Sequence, residues 1–154
     1  MTTTMEYHNP VLLQASVDGL NIKPDGIYVD VTFGGGGHSK EILSRLGTKG
    51  KLFAFDQDED ALANALQDER FVLINENFRH IKRFLRFYGV KSVDGILADL
   101  GVSSHQFDVA ERGFSTRFDA GLDMRMRQKN DLNAYRVVNE YDEQNLRRVF
   151  LGYG

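Results

Sequence analysis

The chain contains no cysteine. That excludes disulfides, thiolate metal sites and a cysteine nucleophile, and it is compatible with a reducing compartment. No apolar run approaches the roughly 20 residues needed to span a bilayer as a helix. The opening segment, Met1-Thr-Thr-Thr-Met5-Glu-Tyr-His8, lacks the basic and apolar regions of a secretory signal. Internal repeats and low-complexity tracts are missing too. The expectation is a cytoplasmic globular protein with no membrane partner and no metal. Of its 154 residues, 42% are hydrophobic and 27% charged, enough for one domain with a real core.

Net charge is small, at −3, but charge is unevenly spread. Residues 1–69 carry 5 basic and 11 acidic side chains, net −6. Residues 70–130 carry 11 and 7, net +4, and residues 131–154 carry 3 and 4, net −1. The middle segment is either a surface for a polyanion or ordinary scatter.

What is present is a strand–helix alternation. Short apolar runs predict strands near 27–32, 51–56, 71–75 and 94–98. Helical spacing predicts helices near 38–46, 58–67 and 79–88. In the third of these, Ile81, Phe84, Leu85 and Tyr88 share a face, and Gly89 is a stop signal. Such alternation implies an α/β fold, a parallel sheet with helices on both faces. From Gly101 to Lys129 the periodicity dissolves. The stretch is too apolar for simple disorder, with Phe107, Phe114, Phe118, Leu122, Met124 and Met126, so it should pack on something. Two short helices are expected after it, near 131–138 and 142–151.

The segment Asp30-Val-Thr-Phe-Gly34-Gly-Gly36-Gly37-His38-Ser39 lies between the first strand and the first predicted helix. In open α/β sheets ligands bind at the carboxyl ends of the strands, near such a turn. Glycines let the backbone approach a ligand, and the first N–H groups of the following helix face it. Lys51-Leu-Phe-Ala-Phe55-Asp56 is a second strand ending in a carboxylate. It lies about twenty residues on, where nucleoside-binding folds place the acid that grips ribose hydroxyls. Asp58 suits the N-cap of the next helix better than Asp56 does. Asp99 ends the fourth strand, beside the crevice, as a functional carboxylate or as a turn cap. Arg112, Arg117, Arg125 and Arg127, interleaved with Phe114 and Phe118, suit single-stranded RNA. They suit internal ion pairs equally well. The basic side chains Arg79, Lys82, Arg83 and Arg86 read more simply as solvated helix surface.

Five motifs match one family in order: Tyr7-His-Asn-Pro-Val-Leu-Leu13, the Asp30–Ser39 segment, Phe55-Asp-Gln-Asp58, Asp94-Gly-Ile-Leu-Ala-Asp99-Leu-Gly-Val-Ser-Ser104, and Glu111-Arg-Gly-Phe-Ser115 with Leu122-Asp-Met-Arg-Met126. From about Tyr7 onward the chain resembles the MraW-type 16S rRNA cytosine-N4 methyltransferases, which use S-adenosylmethionine. The resemblance implies a Rossmann-like class I methyltransferase fold. It implies methionine-side contacts from Gly36, Gly37 and His38, adenosine contacts from Asp56 and Phe78, and further cofactor contacts from Asp99 and Gln106. Asp99 is also the catalytic candidate, able to accept the amine protons of the target base. Without the resemblance, His38 is as readily a helix-start residue and Phe78 a core residue. His105 and Gly121 each stand where the family has a proline, which removes a φ constraint.

Family members are about twice as long, with a helical insertion domain and further strands after this region. The implied organisation is a cofactor-binding core at 1–130 and the start of the insertion at 131–154, with the small ribosomal subunit's 16S rRNA as partner and self-association through an exposed sheet edge. Two other readings compete. One is a truncated, catalytically silent cofactor- or RNA-binding domain. The other, a nicotinamide-dependent oxidoreductase, is disfavoured by the four consecutive glycines and by the later motifs.

Overall fold

The computed structural model describes residues 12–154. Most of the first motif, Tyr7 to Val11, lies outside the described residues. The strands are β1 (Ile27–Asp30), β2 (Lys51–Phe55), β3 (Phe71–Ile74) and β4 (Gly95–Leu97). They form a parallel sheet in the order β3-β2-β1-β4. All four begin within one residue of the position expected from the sequence, because continuous apolar runs bounded by polar residues leave little choice.

The period of two along each strand builds two cores. Tyr28, Leu52 and Leu97 point to one face, where they meet Val17 of α1 (Leu13–Gly19) and Ile42, Leu43 and Leu46 beside α2 (Gly37–Arg45). Val29, Phe53, Phe55 and Ile74 point to the other, against Ile81, Phe84 and Leu85 of α3 (Ile81–Phe87). Helices therefore cover both faces. Each such side chain, fully buried, contributes about 1.5–3 kcal/mol. Gly89 has φ 74, a left-handed conformation that ends α3 as its position suggests. On β4 the alternation continues, but Ile96 remains 52% exposed on the α3 face.

The helix expected at 58–67 does not form. A 3₁₀ turn, Glu59–Asn64, takes its place and ends at Ala65. Asp58 caps it, accepting a hydrogen bond from the Asp60 N–H at 3.1 Å. The Asn64 side chain donates to the Gly34 carbonyl at 3.0 Å, and Leu66 packs beside Phe33 and Ala61. These long-range ties outweigh the weak preference of a short Ala/Leu segment for a regular helix. Helix α1, by contrast, was not legible. It is seven residues long and has no capping side chain at Leu12.

The described backbone gathers into two compact units, one running to Gly101 and the other Val102–Gly154. The second holds α4 (Ser104–Asp108), a 3₁₀ turn at Ala110–Arg112, α5 (Ala134–Glu140) and α6 (Glu143–Tyr153). Helices α5 and α6 fall close to the two expected there, capped by Asn133 and Asp142. Ser103 and Gln106 close a capping box on α4, which orders the turn where proline is replaced by His105.

Candidate cofactor site

The strand order places β2 on one side of β1 and β4 on the other. Chain connectivity reverses direction there, which is where open α/β sheets hold their ligands. The loop leaving β1 is pinned to both neighbours. Val31 N–H donates to the Leu97 carbonyl at 2.9 Å, and Phe33 N–H donates to the Phe55 carbonyl at 3.0 Å.

Asp30, at the end of β1, is fully buried. One carboxylate oxygen accepts the Thr32 N–H at 3.0 Å, and the other accepts the Ser39 hydroxyl at 2.7 Å. Burial pushes its carboxyl above the ordinary 3.8, although the Ser39 and Thr32 hydrogen bonds oppose the shift. The side chain thus ties the entry of the glycine turn to the first turn of α2. Thr32 carries the tie further, its hydroxyl oxygen accepting the Asp99 N–H at 2.8 Å. The exposed Asp99 side chain is therefore anchored through its own backbone at the end of β4. Thr32 is a residue that sequence reasoning missed, since its partner is 67 positions away.

Gly34 and Gly36 have φ 50 and 77, the left-handed region that glycine enters without strain. Gly36 is the N-cap of α2 and offers no side-chain cap to the first-turn N–H groups of Gly37, His38 and Ser39. His38 is buried, and its Nε2 has no hydrogen-bond partner among the described residues. A buried polar atom left so is costly unless a ligand or water meets it.

The Asp56 carboxylate accepts Gly34 N–H at 2.7 Å and Asp58 N–H at 2.9 Å, one on each oxygen. The same bonds fix its orientation and join the end of β2 to the glycine turn. Asn75 Nδ2 donates to the Asp56 carbonyl at 2.9 Å, and Asn77 Nδ2 to Gln57 Oε1 at 2.8 Å. Local sequence gives no signal of these two bonds, whose partners lie 19 and 20 positions away. Phe78 follows Asn77 and is 41% exposed, so it does not take the core role. The first unit thus brings together Gly36, Gly37, His38, Asp56, Phe78 and Asp99 at the carboxyl ends of its strands.

Gln106 belongs to the second unit. It is buried there, and its Oε1 accepts the Ser103 N–H at 3.1 Å. The later motifs interlock within that unit. Buried Arg112 donates to the carbonyls of Arg125 at 2.9 Å and Met126 at 3.2 Å, while Met124 N–H returns a bond to the Arg112 carbonyl at 2.9 Å. A Cβ on Gly113 would lie 2.5 Å from the Gly121 carbonyl oxygen, which explains the glycine in Glu111-Arg-Gly-Phe-Ser115. Arg125 makes a bidentate pair with Asp123 and holds that carboxyl below the usual range. Arg117 pairs with Asp108 at 2.7 Å. Arg117 and Arg125 thus make ion pairs within the chain, whereas Arg112 is held by backbone carbonyls.

The fit to a nucleoside carrying a positively charged thioether rests on this structure's own features. They are a strand-end carboxylate oriented by two backbone N–H groups, a helix start without a side-chain cap behind left-handed glycines, and a buried imidazole nitrogen without a hydrogen-bond partner among the described residues. Sheet order, switch point and glycine turn define a Rossmann-like class I methyltransferase fold. The chain belongs to the MraW methylase family, which it matches over residues 5–154. It is 87% identical to the ribosomal RNA small subunit methyltransferase H of Flavobacterium johnsoniae over 154 residues, all of this chain and 51% of that protein. It is 72% identical to the protein of the same name from Christiangramia forsetii, over 99% of this chain and 51% of that one. The chain thus spans about half the length of the curated relatives it matches. Among solved structures it is similar to TrmN from Thermus thermophilus, at 29% identity and TM-score 0.49, over 58% of this chain and 27% of that one.

Proposed function

We propose that this chain carries the cofactor-binding half of an S-adenosylmethionine-dependent methyltransferase acting on the exocyclic N4 amine of a cytosine in 16S rRNA, in the decoding region of the small subunit. The relatives' shared name supports ribosomal RNA as the substrate class. The observation that carries the reading is the Asp56 carboxylate, fixed by two backbone N–H groups, one of them from Gly34 in the glycine turn that leads into the uncapped start of α2.

Bound S-adenosylmethionine would supply a methyl carbon on a positively charged sulfur. Asp56 would accept the ribose hydroxyls, a charge-assisted arrangement. Phe78 would lie against the adenine, and Gly36 and Gly37 would let the backbone approach the methionine end, with His38 Nε2 meeting a polar atom there. Asp99 would accept hydrogen bonds from the target amine and aim its nitrogen lone pair, so positioning is its main contribution. The Asp/Asn-Pro-Pro-aromatic geometry of many amino-methylating enzymes does not transfer, because this chain has Asp99-Leu-Gly-Val. Gln106 joins the site on the resemblance alone, as does the assignment of residues 131–154 to the start of an insertion domain.

Thermal melting tests the cofactor half. S-adenosylhomocysteine should raise the midpoint and NAD should not. Methyl incorporation into small-subunit RNA, followed by nucleoside analysis for N4-methylcytidine, tests the reaction. Methyl groups on another base, or on a cytosine atom other than N4, would overturn the substrate reading. Cofactor binding with no incorporation would favour the binding-only alternative.

A further inference from the structure

The arginines of the Gly113–Lys129 region are largely spent on internal bonds, yet the chain has a second concentration of positive charge. Residues 79–91 hold Arg79, Lys82, Arg83, Arg86 and Lys91 and no acidic side chain. Helix α3 turns Ile81, Phe84 and Leu85 into the sheet. Helical spacing then gathers Lys82, Arg83 and Arg86 on the opposite, exposed side. None of these three, nor Lys91, forms an ion pair among the described residues. Phe87 follows with 80% of its surface exposed, edge-on to Tyr88 at 5.2 Å.

Beside them opens a cleft of about 450 Å³, floored by Phe53 and Val72 and bounded by Tyr88, Lys51 and Lys91. Lys51 begins β2, whereas Asp56 follows its end. At about 3.3 Å per residue the two levels lie roughly 16 Å apart along the strand, so the cleft is separate from the cofactor site. Unpaired cations at close spacing fit a regular series of negative charges. An exposed phenylalanine beside them fits a nucleobase face.

We propose that the exposed face of α3, with Phe87 and the Lys51–Lys91 cleft, is a docking surface for the phosphate backbone of single-stranded RNA. It lies outside the reacting centre and holds the substrate by charge and stacking rather than by sequence. The proposal rests on the reading of the chain as an RNA-modifying protein, but its test does not depend on turnover.

The test titrates a labelled single-stranded RNA oligonucleotide into the 154-residue chain over a range of salt. Each released phosphate contact changes the slope of log affinity against log salt by about 0.7 for single strands. The triple variant Lys82→Gln, Arg83→Gln, Arg86→Gln should therefore lower the slope's magnitude by about 2. Its low-salt affinity should fall at least about ten-fold. Arg83→Lys with Arg86→Lys should keep the slope, and Phe87→Ala should weaken binding several-fold without changing it. Circular dichroism and S-adenosylhomocysteine titration on the same samples should show an intact fold and unchanged cofactor affinity. A slope unchanged in the folded triple variant overturns the proposal. So does equal competition by poly-glutamate, which would assign the face to an acidic protein. If the slope falls as expected while the parent chain fails to bind S-adenosylhomocysteine, the RNA surface stands and the methyltransferase reading falls.

Discussion

Replacing Asp56 by alanine separates the two tasks the structure gives its carboxylate. Within the fold it accepts the N–H groups of Gly34 and Asp58, at 2.7 and 2.9 Å. Toward a ligand it would accept the two ribose hydroxyls. A hydrogen bond to a charged group contributes roughly 1.5–3 kcal/mol. Losing even one such bond to ribose corresponds to about a ten-fold loss of affinity or more, and losing both to over a hundred-fold. The internal bonds are part-buried, and water can reach the freed N–H groups in part, so the folding cost should stay near about 1–3 kcal/mol. Asp56→Asn should behave differently. It keeps one acceptor oxygen but turns an NH₂ toward a backbone N–H, so it should lose stability without restoring affinity. Calorimetry with S-adenosylhomocysteine, run beside a denaturant titration of each variant, reads both quantities. A folded Asp56→Ala chain with unchanged affinity would refute the reasoning, because it would leave the carboxylate only its internal role.

Three further outcomes follow from the geometry. Asp30 has its pKa raised by burial, so its contribution to stability is fully present below the ordinary 3.8 and is lost as pH rises through the raised folded value. Asp30→Asn should flatten that decline in denaturant titrations across pH, and a variant that keeps the parent's pH profile would contradict it. Gly36→Val combines φ 77 with a Cβ 3.0 Å from the Phe33 ring, so it should lose cofactor affinity and about 1–3 kcal/mol of stability together. Normal S-adenosylhomocysteine binding by that variant would remove Gly36 from the site. Finally, β4 is one of the two edges of the sheet formed by the described residues and leaves Ile96 half exposed, so this chain should self-associate. Light scattering that shows a monodisperse monomer at high concentration would count against that.

What could be read in advance was what local sequence determines alone. The strands were legible because a buried parallel strand is a short, unbroken apolar run, as in Ile27-Tyr-Val and Phe71-Val-Leu-Ile. The glycine turn and the strand-end carboxylates Asp30, Asp56 and Asp99 were legible for the same reason. Bonds between distant residues were not. The Asn64 side chain on the Gly34 carbonyl helps explain why residues 58–67 stop short of a helix, and nothing within that segment announces it. The Thr32 hydroxyl that holds Asp99 belongs to the same class. Charge was the least legible of all. Arg112 and Lys82 look alike in sequence, but one is buried against two carbonyls and the other is exposed without an ion-pair partner among the described residues.

The strand order also sets a timetable. Strand β1 pairs with β2, and β2 with β3, across short connections, whereas Tyr28 must wait for Gly95. On a ribosome the chain emerges at about 5–20 residues per second, so roughly one to five seconds separate the appearance of β3 from that of β4. During that interval one edge of β1 has no strand to pair with, and that edge carries the start of the glycine turn. Asp30 and Thr32 would already be in place, while Asp99, whose N–H donates to the Thr32 hydroxyl, would not yet have been synthesised. The nascent protein therefore passes through a stage in which Asp56, at the end of β2, can join the glycine turn before Asp99 exists. That stage is when its backbone is most open to the wrong partner.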